Sequence, residues 1–273
     1  MLARRSSSVI PVRRSRYQAD QVQPRHYVAQ SPLLSHLLTA LSMTFPAGEQ
    51  FFVHTVRQVR DQVTDPELQA RISGFIGQEA MHAQAHSQFN AVLDHTDYPV
   101  LRYQKQAILG IEQLKQRTPR RQLAATVAYE HFTALLATQL LKRPRFFAGL
   151  DPNLQQLWLW HAVEEIEHKS VAFDVYQQVF GNLAQRRRSM RTVSMAFGLG
   201  IATMTAHLLW LDRHESLFRL RTLWPNLRDG VELGGLLLRL LPSYLAFYRA
   251  DFHPDQQDDQ ALLEHWRTRL ALS

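Results

Sequence analysis

Two short units constrain this chain more than anything else in it. Glu79-Ala80-Met81-His82 and Glu165-Ile166-Glu167-His168 both read Glu-x-x-His, and no third instance occurs in the 273 residues. On an α-helix, residues three apart lie on one face, with side chains about 5–6 Å from each other. A carboxylate and an imidazole at that spacing can reach one cation. A single such match arises by chance in a chain of this length, so the repeat carries the argument.

Two further glutamates extend the repeat. Glu49 lies on the helical stretch before the first unit, and Glu130 on the stretch before the second. The order Glu, Glu-x-x-His, Glu, Glu-x-x-His over four helices is the ligand pattern of two-metal carboxylate bundles. Four carboxylates and two neutral imidazoles balance two divalent cations in a dry core. The surrounding residues also predict burial. Phe75, Glu79, His82, His86 and Phe89 make one helical stripe, and His161, Glu165, His168 and Ala172 another. Leu123, Val127, Ala134 and Ala137 share the face of Glu130, where an uncompensated carboxylate would be heavily penalised by desolvation. His161, four residues before Glu165, is expected as a seventh ligand. His86, four residues after His82, is a candidate ligand or a candidate for hydrogen-bonding the ligands from behind, and Glu164 and Glu167 are candidates for such bonds or for pairing with surface arginines. His54, His131, His207 and His253 have no spacing argument and are read as structural.

The fold expected is all-α: a four-helix bundle with a di-metal centre, plus additional N- and C-terminal helices. No region alternates apolar and polar residues long enough for a sheet. Helices are expected over Pro32–Thr44, from Pro46 to Val63 with a break at that proline, and from Pro66 to Asp94. Others are expected over Tyr103–Gln116, from Pro119 to Leu141, from Pro152 to Phe180 and over Gln260–Leu270. Three regions follow: a basic arm over 1–30, the bundle over 31–182, and apolar helices over 183–273, packed on the bundle or touching a membrane.

Composition narrows the chemistry. With no cysteine, thiolate sites, iron–sulfur clusters and disulfides are excluded. His, Asp and Glu ligands suit iron first, with manganese or zinc as alternatives. The formal charge of +7 comes from 31 Lys and Arg against 24 Asp and Glu. No basic helix interleaved with exposed aromatics stands out, so nucleic acid is not an expected partner. The Arg- and Ser-rich start lacks the apolar run of a secretory signal and reads as a solvated arm. The expected location is the cytoplasm, with membrane association open. Thr192–Leu211 contains no Asp, Glu, Lys or Arg and is long enough to span a bilayer, although a helix buried against the bundle fits it too. Bundles of this type often pair, so a homodimer is also open.

The motifs resemble a ferritin-like family known as predicted metal-dependent hydrolases. The resemblance rests on Phe45-Pro46-Ala47-Gly48-Glu49 with Phe51-Phe52, on Phe75 through His82 with His86 and Asn90, and on Trp160-His161 with Glu164 through His168. Phe173-Asp174-Val175-Tyr176 and Tyr248 through Pro254 add to it. The His161-x-x-x-Glu165-x-x-His168 spacing is also similar to the di-iron N-oxygenase of p-aminobenzoate, whose extra histidine is a metal ligand. The reading preferred on these grounds is a di-iron oxidase or oxygenase, using dioxygen on an unknown small organic substrate, lipophilic if the apolar segments meet lipid. The alternative is the hydrolysis that the family label implies, through a metal-bridging water. Metal storage ranks last, because the two apolar C-terminal helices make a poor cage subunit.

Overall fold

The computed structural model describes residues 9–19, 26–28, 31–93, 98–143, 146 and 149–272. All the regular elements among the described residues are helices, with an isolated bridge between Val28 and Leu150 as their one extended pairing. The helices are α1 (Pro32–Val59), α2 (Pro66–Leu93), α3 (Val100–Lys115), α4 (Pro119–Leu141), α5 (Pro152–His168), α6 (Val171–Val179), α7 (Leu183–Leu211), α8 (Arg213–Ser216), α9 (Leu220–Ala246) and α10 (Gln260–Leu270). Proline opens α2, α4 and α5, where its missing N–H has no intrahelical partner to lose. Asp151 caps α5 by accepting from the backbone N–H groups of Asn153 and Leu154.

Pro46 does not break its helix: α1 runs through it as one element. A mid-helix proline leaves the carbonyl four residues back without a donor. Here that carbonyl belongs to Ser42, and the Asn90 side-chain amide of α2 donates to it at 2.9 Å. A neighbouring helix therefore supplies the bond the proline removes. The helix expected from Pro152 to Phe180 is instead two. It turns at Lys169 and Ser170, where the Lys169 ammonium donates to the Gln257 carbonyl at 2.7 Å and pairs with Asp259 at 2.9 Å. Gly181 closes α6 at φ +53°, and its N–H donates to the Tyr176 carbonyl.

α5 is the axis of the molecule. Every residue from Leu157 to His168 is buried, and α2, α4 and α10 pack around it. A helix covered on all sides carries no polar face, so its charged residues must find partners inside. The described stretch of the arm, expected to be solvated, packs on the bundle along one side: Ile10 and Tyr17 are buried, while Val9, Val12, Arg14, Arg16 and Gln18 stay exposed. It crosses α2 at Gly74 and Gly77, where an added Cβ would lie 2.4 Å from the Ile10 carbonyl oxygen and 2.3 Å from the Val12 side chain. Only glycine permits that approach. Arg4 and Arg5 lie outside the described residues, whereas Arg13 is built into the core.

α7 and α9 lie against α1 and α4. α7 is long and apolar enough to cross a membrane by length and composition, yet only 22% of its apolar window is buried. It is thus neither enclosed by the bundle nor free of it. Met190, Val193, Ile201 and Leu208 face inward, while Met195, Leu199 and Trp210 are exposed. The basic cluster ahead of it divides as well. Arg186 is buried over the rings of Phe173 and Phe247 and donates to the Phe247 carbonyl at 3.0 Å, whereas Arg188 and Arg191 are exposed.

Candidate metal centre

Four helices bring the seven residues singled out in the sequence into one cluster. Glu49 comes from α1, Glu79 and His82 from α2, Glu130 from α4, and His161, Glu165 and His168 from α5. All seven are buried, none more than 4% exposed. Ligand atoms of Glu79, His82, Glu165 and His168 lie within 4.8 Å of one another, and so do those of Glu49, His86 and His161. The Glu165 carboxylate joins the two groups. Its Oε1 is 2.9 Å from His161 Nε2, 3.6 Å from His82 Nδ1 and 3.7 Å from His168 Nε2. Glu130 meets His168 Nδ1 at 3.0 Å, and Glu79 lies 3.2 Å from His168 Nε2.

Hydrogen bonding shows what this cluster lacks. Both oxygens of Glu49 and of Glu79, one oxygen each of Glu130 and Glu165, His82 Nδ1 and His168 Nε2 are buried without a hydrogen-bond partner. Orphaned acceptors at this density are far outside what a folded core tolerates. They converge on one place, and their chemistry is that of oxygen and nitrogen donors to a divalent cation. The residues present therefore fit bound metal ions.

Protonation in the metal-free protein tells the same story. Burial, reinforced by the neighbouring carboxylates, pushes Glu49 and Glu79 well above the usual range. Burial also lifts Glu130 to about 7 against the pull of His168. For Glu165 burial acts upward too, but His168 and His161 outweigh it and leave it below its ordinary value. His168 rises to about 9, because Glu130 and Glu165 overcome its burial. His82 and His86 are held well below, by burial first and by neighbouring imidazoles second. Without cations, the cluster must keep protons to limit its buried charge.

Behind the cluster stand two supporting chains. His82 Nε2 is 3.0 Å from Glu164 Oε2, and Arg13 donates to Glu164 Oε1 at 3.1 Å. Arg13 also forks onto both oxygens of Glu167 at 2.8 and 3.1 Å. Gln78 and Arg267 complete the Glu167 shell at 2.7 and 2.6 Å. Glu164 is thus aimed at the cluster, and Glu167 ties arm, α2, α5 and α10 together. The second chain starts at His161. Its Nδ1 is 2.8 Å from His86 Nε2, and His86 Nδ1 is 2.8 Å from Ser42 Oγ. The Ser42 hydroxyl donates to Asn90 Oδ1 at 2.8 Å. Phe45, Phe75 and Trp160 set their rings edge-on to these imidazoles and keep the place apolar.

Sequence reasoning found the cluster and its neighbours but missed Arg13 and Ser42, and it named Asn90 in the family resemblance without giving it a role. Only the proline in α1, with its orphaned carbonyl, could have pointed to that role. It also missed a separate group: His26 and Tyr98 both bond Asp212, and His36 sits 3.3 Å from the same oxygen. Nothing in the spacing of those residues links them. Of the histidines read as structural, His131 and His253 bond the Ser243 carbonyl and Asp174, away from the cluster.

Glu49, His161 and Glu165 also form the floor of a cavity of about 730 Å³. Phe45, Phe52, Tyr129, Phe197, Ile201 and Met204 line its walls, and Arg117, Arg121 and Arg188 are also part of its lining. That volume accommodates a small organic molecule.

An all-α molecule with a buried carboxylate–imidazole cluster opening on a cavity belongs to the class of metal-binding helical proteins. More narrowly, the chain belongs to the family described as predicted metal-dependent hydrolase, whose model matches residues 11–258. No curated protein and no solved structure matches it.

Proposed function

We propose that this protein is a metal-dependent hydrolase whose cations are held by Glu49, Glu79, His82, Glu130, His161, Glu165 and His168. The family match over residues 11–258 carries this reading, and the orphaned donor atoms supply its chemical basis. It displaces the oxidation preferred from the sequence, which the family description does not support. Two divalent cations in such a site would acidify a water and polarise a carbonyl or phosphoryl oxygen.

The chain's own residues contribute orientation, dryness and proton control. Glu164 accepts from His82 Nε2–H, which leaves Nδ1 as the ligand atom. His86 accepts from His161 Nδ1–H and passes a hydrogen bond to Ser42, which leaves His161 Nε2 for the cation. His86 is then a positioning residue, as are Glu164 and Arg13. Such partners fix both the ring and the tautomer of a ligating histidine. Apolar cavity walls select a substrate with a hydrocarbon or aromatic portion and exclude bulk water from the floor.

A second reading keeps the same ligands and replaces hydrolysis by oxygen activation with two irons. The observation that favours it is the spread of four glutamates and three histidines over α1, α2, α4 and α5, which is the ligand architecture of di-iron bundles. It rests on analogy of architecture, as does any ferritin-like kinship. One experiment separates the two. The protein is purified with its native metal, and cleavage of ester and phosphoester probes is followed anaerobically. Metal-dependent cleavage without oxygen supports hydrolysis. No cleavage, together with iron in the protein and an optical change when the reduced form meets oxygen, supports the second reading.

A further inference from the structure

The outer face of α9 bears a second pattern that the metal centre does not use. Leu220, Trp224, Leu227, Val231, Leu238 and Leu245 are each more than half exposed. At 100° per residue they fall within an arc of about 60°. The opposite side of the same helix carries Thr222, Asp229, Leu236 and Leu240, which are buried. α9 is therefore apolar twice over, once towards the bundle and once towards solvent. Contiguous exposed hydrocarbon on this scale marks an interaction surface.

Charge identifies the occupant. Arg221, Arg228 and Arg239 are exposed and lie about 70–90° to one side of the centre of the stripe, in a line along its edge. Among the acids of α9, Asp229 is buried and pairs with Arg228 at 3.0 Å, and Glu232 is half-buried, so the charged side chains fully exposed on this helix are arginines. Trp210 and Phe218, just ahead of α9, are exposed as well. An apolar stripe edged by arginines, with aromatic residues at one end, is the composition of a helix that lies in the interface of a bilayer. Arginine stems run along hydrocarbon while their guanidinium groups stay with anionic headgroups. A second copy of the chain fits less well. Antiparallel pairing of the stripes would bring the arginine edge against itself, and the carboxylates beside it, Asp229 at 3.0 Å from Arg228 and Glu215 at 3.9 Å from Arg221, are already engaged within one copy.

We propose that α9 seats the protein on the surface of an anionic lipid bilayer, lying in the membrane plane through its Leu220–Leu245 stripe. α7 does not span in this arrangement: its inner face packs on α1 and α4, and Arg186 holds its start to the Phe247 carbonyl. The proposal does not depend on the reaction at the metal centre.

The test is flotation of the full-length protein with vesicles of phosphatidylcholine, alone or with phosphatidylserine. Partition onto the serine-containing vesicles is expected to be higher and to fall with salt. Trp224→Glu with Leu238→Glu should lower partition about tenfold or more. Arg221→Gln, Arg228→Gln and Arg239→Gln should each remove about fivefold, from the anionic vesicles only. Unchanged circular dichroism would show that these surface variants still fold. No partition of the wild type, partition indifferent to phosphatidylserine, or a dimer that Trp224→Glu dissociates without any vesicle binding would overturn the proposal. Retention after an alkaline carbonate wash would also overturn it, in favour of a spanning α7.

Discussion

The metal-bearing bundle and the C-terminal helices break opposite rules. In the first, glutamates and histidines are buried where hydrocarbon belongs; in the second, leucines and tryptophans are exposed where charge belongs. Each is unfavourable by itself. Buried carboxylates lose their hydration, and an exposed apolar stripe keeps the ordered water that burial would release. The bundle holds orphaned donor atoms that match cations, and α9 holds a hydrocarbon stripe that matches lipid. Both departures are confined to a few faces of otherwise ordinary helices. Each is therefore better explained by a partner than by poor packing.

The largest effect is expected at the bundle. Glu79→Ala with His82→Ala removes one of the two Glu-x-x-His units. Metal content measured by mass spectrometry should fall to background, and turnover by more than about 100-fold, since losing only a supporting hydrogen bond already costs 10–100-fold. Metal retained at its original stoichiometry would show that the ligand assignment is wrong. Vesicle partition should not change, because α9 is untouched.

Removing the metal comes next in size. Chelation should lower the melting temperature and make it depend on pH. Glu130 has a folded value near 7, above the ordinary 4.5. Its contribution to the stability of the metal-free protein is complete below 4.5 and is lost as pH rises through 7. Glu49 and Glu79 act in the same direction. The metal-free protein should therefore melt earlier at pH 8 than at pH 6. Re-adding metal should release protons and restore stability most at the higher pH. A metal-free protein that gained stability from pH 6 to pH 8 would contradict the proton-filled cluster.

Arg13→Ala should have a smaller effect. It strips Glu164 and Glu167 of a partner without touching a ligand. Metal affinity is expected to fall about 10–100-fold. Stability should fall by about 3 kcal/mol, because buried Glu164 loses its counter-charge and Glu167 keeps only Arg267. Titration of metal into the variant and its thermal melt read the two effects separately. Arg13→Lys should recover only part of either, since an ammonium cannot fork onto Glu167.

How much of this was visible in the sequence follows from how local each signal is. The Glu-x-x-His pairs, Glu49, Glu130 and His161 were legible because helical spacing puts each on a definable face. The boundaries of α2, α4 and α10 were legible because prolines or polar caps mark them. The uninterrupted α1 was not, because Asn90 lies 48 residues from the Ser42 carbonyl it completes. Arg13 was read as part of a solvated arm because its partners sit more than 150 residues away. The division of Arg186 from Arg188 was equally hidden: both belong to one basic run, and only tertiary packing turns one inward.

The inner and outer faces of α9 differ in the same way within a single helix. Leu236 and Leu238 are two residues apart on α9, at 3% and 72% exposure. Leu236→Ala removes hydrocarbon from packed surroundings and should cost about 2–5 kcal/mol, the range for leucine truncation in a core. Leu238→Ala removes hydrocarbon from water and should stay within about 0.5 kcal/mol of wild type in detergent-free buffer. On anionic vesicles the ranking reverses: Leu238→Ala should weaken partition, because its side chain meets the acyl boundary, while Leu236→Ala should leave partition unchanged once folded. Denaturant melts and flotation on the same two proteins measure both. A cost of 2 kcal/mol or more for Leu238→Ala in free solution would mean that the outer stripe already packs against protein, and the contrast between a bundle completed by cations and a helix completed by lipid would fail.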